Sequence, residues 1–73
     1  MKTTTFGKIK EGSFFKLTEK GAAGATGALK FVFKKRTGSH AEIIGTVQGA
    51  PKSYVQYVGE HRYLESNDEV VTV

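Results

Sequence analysis

The sequence predicts an all-β domain: a small five- to six-stranded SH3-like barrel, with an OB-type barrel as the alternative. Three observations carry this. Nine glycines and a single proline are scattered among short apolar runs, the punctuation of tight turns between strands. No window repeats apolar residues at i, i+3, i+4 and i+7 over the length that a stable helix needs. A short turn, readable as one 3₁₀ step, precedes an alternating terminal run, an arrangement common before the last strand of an SH3-like barrel.

The elements follow in order. In TFGKIKEGSFF, Phe6 and Ile9 stand three apart with Gly7 between them, which suits one turn that tucks both side chains under a barrel. Lys10-Glu11-Gly12 reads as a turn in which glycine supplies a positive φ. Residues 13–18 form the first strand, with Phe15 and Leu17 on one face and Phe14 and Lys16 on the other. EKGAAGATGA (19–28) then has glycines three apart among Ala and Thr. It reads as a flexible connection, since such residues supply little core and lose much backbone entropy.

Residues 28–36 give the plainest strand. Leu29, Phe31 and Phe33 point inward, while Lys30, Val32, Lys34 and Arg36 point outward. Thr37-Gly38-Ser39 turns the chain, and 40–48 returns with Ala41, Ile43 and Val47 as its inner face. Gly45 interrupts that face, so a bulge is expected there, the device that curls a small sheet. After a loop at Gly49-Ala50-Pro51-Lys52, the aromatic and branched run 53–58 reads as a strand. Residues 61–64 form a weaker one, Ser66-Asn67-Asp68 a turn, and 69–73 the last strand.

Seventy-three residues make one domain, 1–73, burying only about 60% of the surface its unfolded chain exposes. With no cysteine, neither disulfides nor thiolate-bound metal can staple it. The core must come from five Phe, three Tyr and the aliphatic residues, or from a second copy, which leaves homo-oligomerisation open. No run approaches the roughly 20 apolar residues of a membrane span. MKTTTFGKIK lacks the apolar centre of a signal peptide. A cytoplasmic protein without a membrane partner is expected. The net charge of +4 is uneven: 1–36 holds nine cations against two acids, and 37–73 two cations against five acids. A basic patch is implied, though its position is not.

The opening Phe6-x-x-Ile9-x-x-Gly12-x-x-Phe15, with an apolar strand ending in lysine and a terminal Glu69-Val70-x-x-Val73, resembles small phage and bacterial β-proteins that begin with a Phe-x-x-Ile/Leu-x-x-Gly-x-x-Phe turn. The resemblance covers about half the chain and implies a compact β-domain of phage or prokaryotic type. It carries no functional residues across, and the Gly/Ala run at 21–28 departs from the pattern.

Catalysis is not expected. The serines lie in or beside turns, and His40 and His61 lack a third ligand for zinc. The acidic run 65–69 lacks the spacing of a calcium loop, and the Gly/Ala run lacks the Lys-Ser/Thr pair of a phosphate loop. No cofactor or metal is therefore expected. Nucleic-acid binding is the sharper expectation, because small barrels hold strands through cations and exposed rings. The candidate residues are Lys30, Lys34, Lys35, Arg36, Lys52, Tyr54, Tyr57 and Arg62. With Phe31 and Phe33 turned inward, only Val32 accompanies the cations on that strand, so its outer face is basic but not aromatic. The plainer readings are a strand edge blunted by Lys and Arg, and tyrosines packed at the edge of the core. Two alternatives stand beside nucleic acid: a phage-type interaction or inhibitor domain acting on an acidic host protein, and an oligomeric small-ligand or nucleotide-binding protein.

Overall fold

The alternation of residues 31–35 decides the centre of the fold. Phe31, Phe33 and Lys35 are buried, while Val32 and Lys34 are half-buried on the opposite side. A computed structural model describes residues 3–22 and 26–73. Among them, six strands make one antiparallel sheet. These are β1 (Thr3–Thr5), β2 (Phe14–Leu17), β3 (Phe31–Lys35), β4 (His40–Thr46), β5 (His61–Tyr63) and β6 (Glu69–Thr72), in the order β1-β6-β2-β3-β4-β5. The all-β expectation holds. The C-terminal strand is inserted between β1 and β2, so both chain ends are knit into the sheet.

Phe6, Phe15, Leu17, Phe31, Phe33, Ala41, Ile43 and Val70 form one buried core with Ala22. Phe15 and Phe33 sit opposite each other in register and stack with ring centroids 5.4 Å apart. Phe6 meets the Phe15 ring edge-on at the same distance. Such pairs add about 0.5–1.5 kcal/mol beyond the area they bury. In a chain this short they form much of the core.

Phe6 and Ile9 behave as their spacing indicates. The 3₁₀ helix η1 (Phe6–Lys8) turns Phe6 fully into the core, and Ile9 packs against its edge. Gly12 follows with φ +90°, which lets the chain bend back into β2. The expected irregularity near Gly45 is also present. Val32 pairs with Gly45 but Phe33 with Ile43, so Ile44 is the extra residue of a β-bulge. It is exposed.

Three expectations about the elements need correction. Thr3–Thr5 forms a strand where none was expected, since three threonines show no apolar alternation and the partner is the far end of the chain (Thr3 opposite Val71). Residues 19–28 are not simply a loop. They begin as a short helix, α1 (Glu19–Ala22), and end within a 3₁₀ helix, η2 (Thr26–Lys30), so the next strand starts at Phe31 rather than at 28. The reason is geometric: Ala28 and Leu29 both pack on the core, which adjacent residues of a strand cannot do. Positions 23–25 of that run lie outside the described residues.

The third correction is 53–58, which is not a strand. It belongs to a 3₁₀ helix, η3 (Lys52–Tyr57). Tyr54 and Tyr57 are three residues apart, the repeat of a 3₁₀ turn, and both rings meet Phe31, with centroids at 5.5 and 5.8 Å. A strand would also leave Tyr54 and Tyr57 on opposite faces. Among the described residues no helix is long and apolar enough to cross a membrane.

Candidate nucleic-acid interface

The eight sequence-predicted site residues fall into three environments. Lys34 and Arg36 follow the outward parity of β3, and Lys30 is exposed at the end of η2. Tyr54, Tyr57 and Arg62 lie on the other side and line a cavity beneath the sheet, and Lys52 is exposed at the start of η3. Arg62 is opposite the buried Ala41, and its guanidinium donates to Glu60 Oε1 at 2.7 Å. One sheet separates these two groups, so they do not make a single surface.

Lys35 belongs to neither group, and its placement corrects the expected set. Only 4% of it is exposed, because it shares the inward parity of Phe31 and Phe33. Its ammonium donates to the carbonyl oxygens of Phe6 and Ile9, both at 2.8 Å, and stands 4.6 Å from the centroid of the Phe6 ring. An ammonium has three N–H donors; two carbonyls and a ring face occupy them. The side chain ties η1 to the sheet and cannot reach an external phosphate.

The outer face is richer than the sequence indicated. Register carries a row across four strands, Phe14–Lys34–Glu42–His61. Phe14 is 45% exposed and lies beneath the Lys34 ammonium, 5.9 Å from ring centroid to Nζ. Lys16 follows on the same face, opposite Val71. At the far end Tyr63 is 83% exposed. It lies opposite His40, whose ring is 4.9 Å from that of His61 and 5.8 Å from that of Tyr63. The face is therefore aromatic as well as basic, against the expectation drawn from β3 alone. Phe14 and Lys16 are the residues sequence reasoning did not select. The outward parity of Phe14 and Lys16 was legible, but their neighbours depend on strand register.

Local pairing sharpens the charge. Glu42 is engaged by Arg36 at 3.3 Å and Glu60 by Arg62 at 2.7 Å. Glu69 accepts from the Thr18 hydroxyl at 2.7 Å, and Asp68 accepts the Glu65 N–H at 2.9 Å. Most acids of the C-terminal half thus have partners of their own. Lys16 and Lys34 form no ion pair among the described residues. The histidine pair has no third ligand: the described residues contain no group of three or more His, Cys, Asp or Glu able to hold a metal.

On the core side, a cavity of about 830 Å³ lies between α1 and η2 on one wall and η3 with the β5–β6 connection on the other. Its lining is mainly apolar and aromatic.

No family model matches this chain, and comparison with curated proteins and with solved structures found no similar one.

Proposed function

We propose that the protein is a non-catalytic module that holds single-stranded nucleic acid on the outer face of its sheet, and that the sheet is that of an SH3-like barrel. The bulge at Ile44 and the single core wrapped by β2, β3, β4 and β6 support the barrel. The observation that carries the function is the exposed Phe14 ring between Lys16 and Lys34. A cation beside an open ring is what an unpaired strand needs, with a base on the ring and a phosphate on the ammonium. Three inter-strand steps separate Phe14 from His61, about 14 Å at the usual spacing. That span accommodates more than one base between Phe14 and the His40–His61–Tyr63 cluster. An acidic protein partner would use the same cations but would depend less on the ring.

Fluorescence anisotropy with a labelled oligothymidylate tests this. Two phosphate contacts, from Lys16 and Lys34, predict a slope of about −1.4 in log affinity against log salt, since Arg36 is engaged with Glu42. Phe14→Ala should weaken binding roughly tenfold, the value of one lost stacking contact, with the salt slope unchanged. Lys34→Gln should flatten the slope by about 0.7. If no oligonucleotide is retained even at low salt, the reading is wrong.

A further inference from the structure

The cavity on the core side has a composition opposite to that of the outer face. Its first wall is built from small residues: Gly21, Ala22, Gly27 and Ala28. Facing them are Phe31, Tyr54 and Tyr57, whose rings contact one another at centroid distances of 5.5 to 6.2 Å. The Tyr57 plane stands at 75° to Phe31 and 89° to Tyr54, whereas Phe31 and Tyr54 are only 31° apart. The result is an L-shaped aromatic corner opposite a wall too small to fill it. Its volume, about 830 Å³, lies in the range of small-molecule sites, which are mostly apolar with a few fixed polar groups.

The polar groups select the occupant. Arg62, Glu65 and Asp68 line the cavity, and Arg62 is already paired with Glu60 at 2.7 Å. What remains is the negative charge of Glu65 and Asp68. Asp68 uses Oδ2 to accept the Glu65 N–H, which fixes its carboxylate beside Glu65. Aromatic faces are themselves negative and attract cations, more strongly when water is excluded. Aromatic walls and carboxylates therefore favour the same partner, although the chain as a whole is cationic.

We propose that this cavity binds a small organic cation, an ammonium or quaternary ammonium group carried on an aromatic or aliphatic body. The body lies against Phe31, Tyr54 and Tyr57, and the charge faces Glu65 and Asp68. Of the outer-face residues Tyr63 alone also lines this cavity, and Phe14, Lys16 and Lys34 do not, so the site is tested separately from nucleic-acid binding at Phe14.

NMR titration with benzyltrimethylammonium tests it, with benzyl alcohol and benzenesulfonate as neutral and anionic counterparts. The ring signals of Tyr54 and Tyr57 should shift while those of Phe14, on the opposite face, stay fixed. The ammonium probe should bind about tenfold more tightly than the sulfonate, as expected for one cation–π contact with added charge attraction. Glu65→Gln, an exposed position, should weaken the ammonium probe several-fold and leave benzyl alcohol unaffected. Ala28→Leu should push a larger side chain from the small-residue wall into the cavity, weakening binding several-fold with an unchanged or higher urea midpoint. Equal binding of sulfonate and ammonium, or shifts that avoid Tyr54 and Tyr57, would overturn the proposal.

Discussion

Replacing Lys35 by alanine is expected to remove about 3 kcal/mol of stability, a large share of what so small a domain has. Burying an ammonium without a carboxylate costs several kcal/mol, so the side chain persists only because other groups offset that cost. Two charge-assisted hydrogen bonds contribute about 1.5–3 kcal/mol each, and a desolvated cation–π contact about 2 kcal/mol. The sum is close to break-even for the charge itself. Truncation does more than remove a charge, however. It deletes the buried stem against Phe6, leaves the Ile9 carbonyl without its donor, and removes the side-chain tie between η1 and β3, while the backbone bond from the Gly12 N–H to the Lys35 carbonyl at 2.7 Å remains. Phe6 O still accepts the Ile9 N–H at 3.4 Å, so one carbonyl keeps a partner and the loss stays near 3 rather than 5 kcal/mol. Lys35→Met separates the contributions: the stem remains, the desolvation cost disappears, and the expected loss falls to about 1 kcal/mol. Urea unfolding of both variants measures this. A Lys35→Ala midpoint equal to that of the parent would show that the ammonium clamps nothing.

Lys35 also marks where the sequence was legible and where it was not. The alternation of Phe31 and Phe33 placed both rings inward, and counting two further would have placed Lys35 there as well. Its charge assigned it to the surface instead. Charge is a strong prior for exposure, and parity overrode it because backbone carbonyls were waiting at the end of η1. The β3–β4 hairpin, the bulge beside Gly45 and the turn carrying Phe6 were all legible, since each is encoded by residues close in sequence. β1 was not: its threonines carry no pattern, and its ladder is completed by residues at the other end of the chain. In η3 a signal existed, the spacing of Tyr54 and Tyr57, but the β-rich composition of SYVQYV outweighed it. Half of the candidate interface depended on register. Phe14 and Lys34 become neighbours only when β2 and β3 pair as they do.

Gly21→Ala is expected to be the most damaging glycine substitution among the described residues, costing about 2–3 kcal/mol as overpacking against backbone. A methyl group at this position would run into the carbonyl oxygen of Glu69. Conformational freedom is not the issue here; close approach is. One of two bodies must move. β6 is held on both sides, by β1 and by β2, and resists displacement. α1 is four residues long, held by the Thr18 hydroxyl, which accepts the Gly21 N–H at 3.0 Å and donates to Glu69 at 2.7 Å, and by the burial of Ala22. Undocking α1 forfeits those hydrogen bonds, about 1 kcal/mol each, and little apolar area. That limits the cost and fixes where the strain goes. Gly38→Ala, where a methyl group meets open space, is the control and should change stability by less than about 0.5 kcal/mol. Amide exchange should accelerate at 19–22 in Gly21→Ala, with β1 and β6 still protected. Because Gly21 and Ala22 also line the cavity, the same variant should loosen binding of the ammonium probe while oligonucleotide affinity on the opposite face is unchanged. Identical midpoints for Gly21→Ala and Gly38→Ala would mean that α1 does not rest on β6 as described.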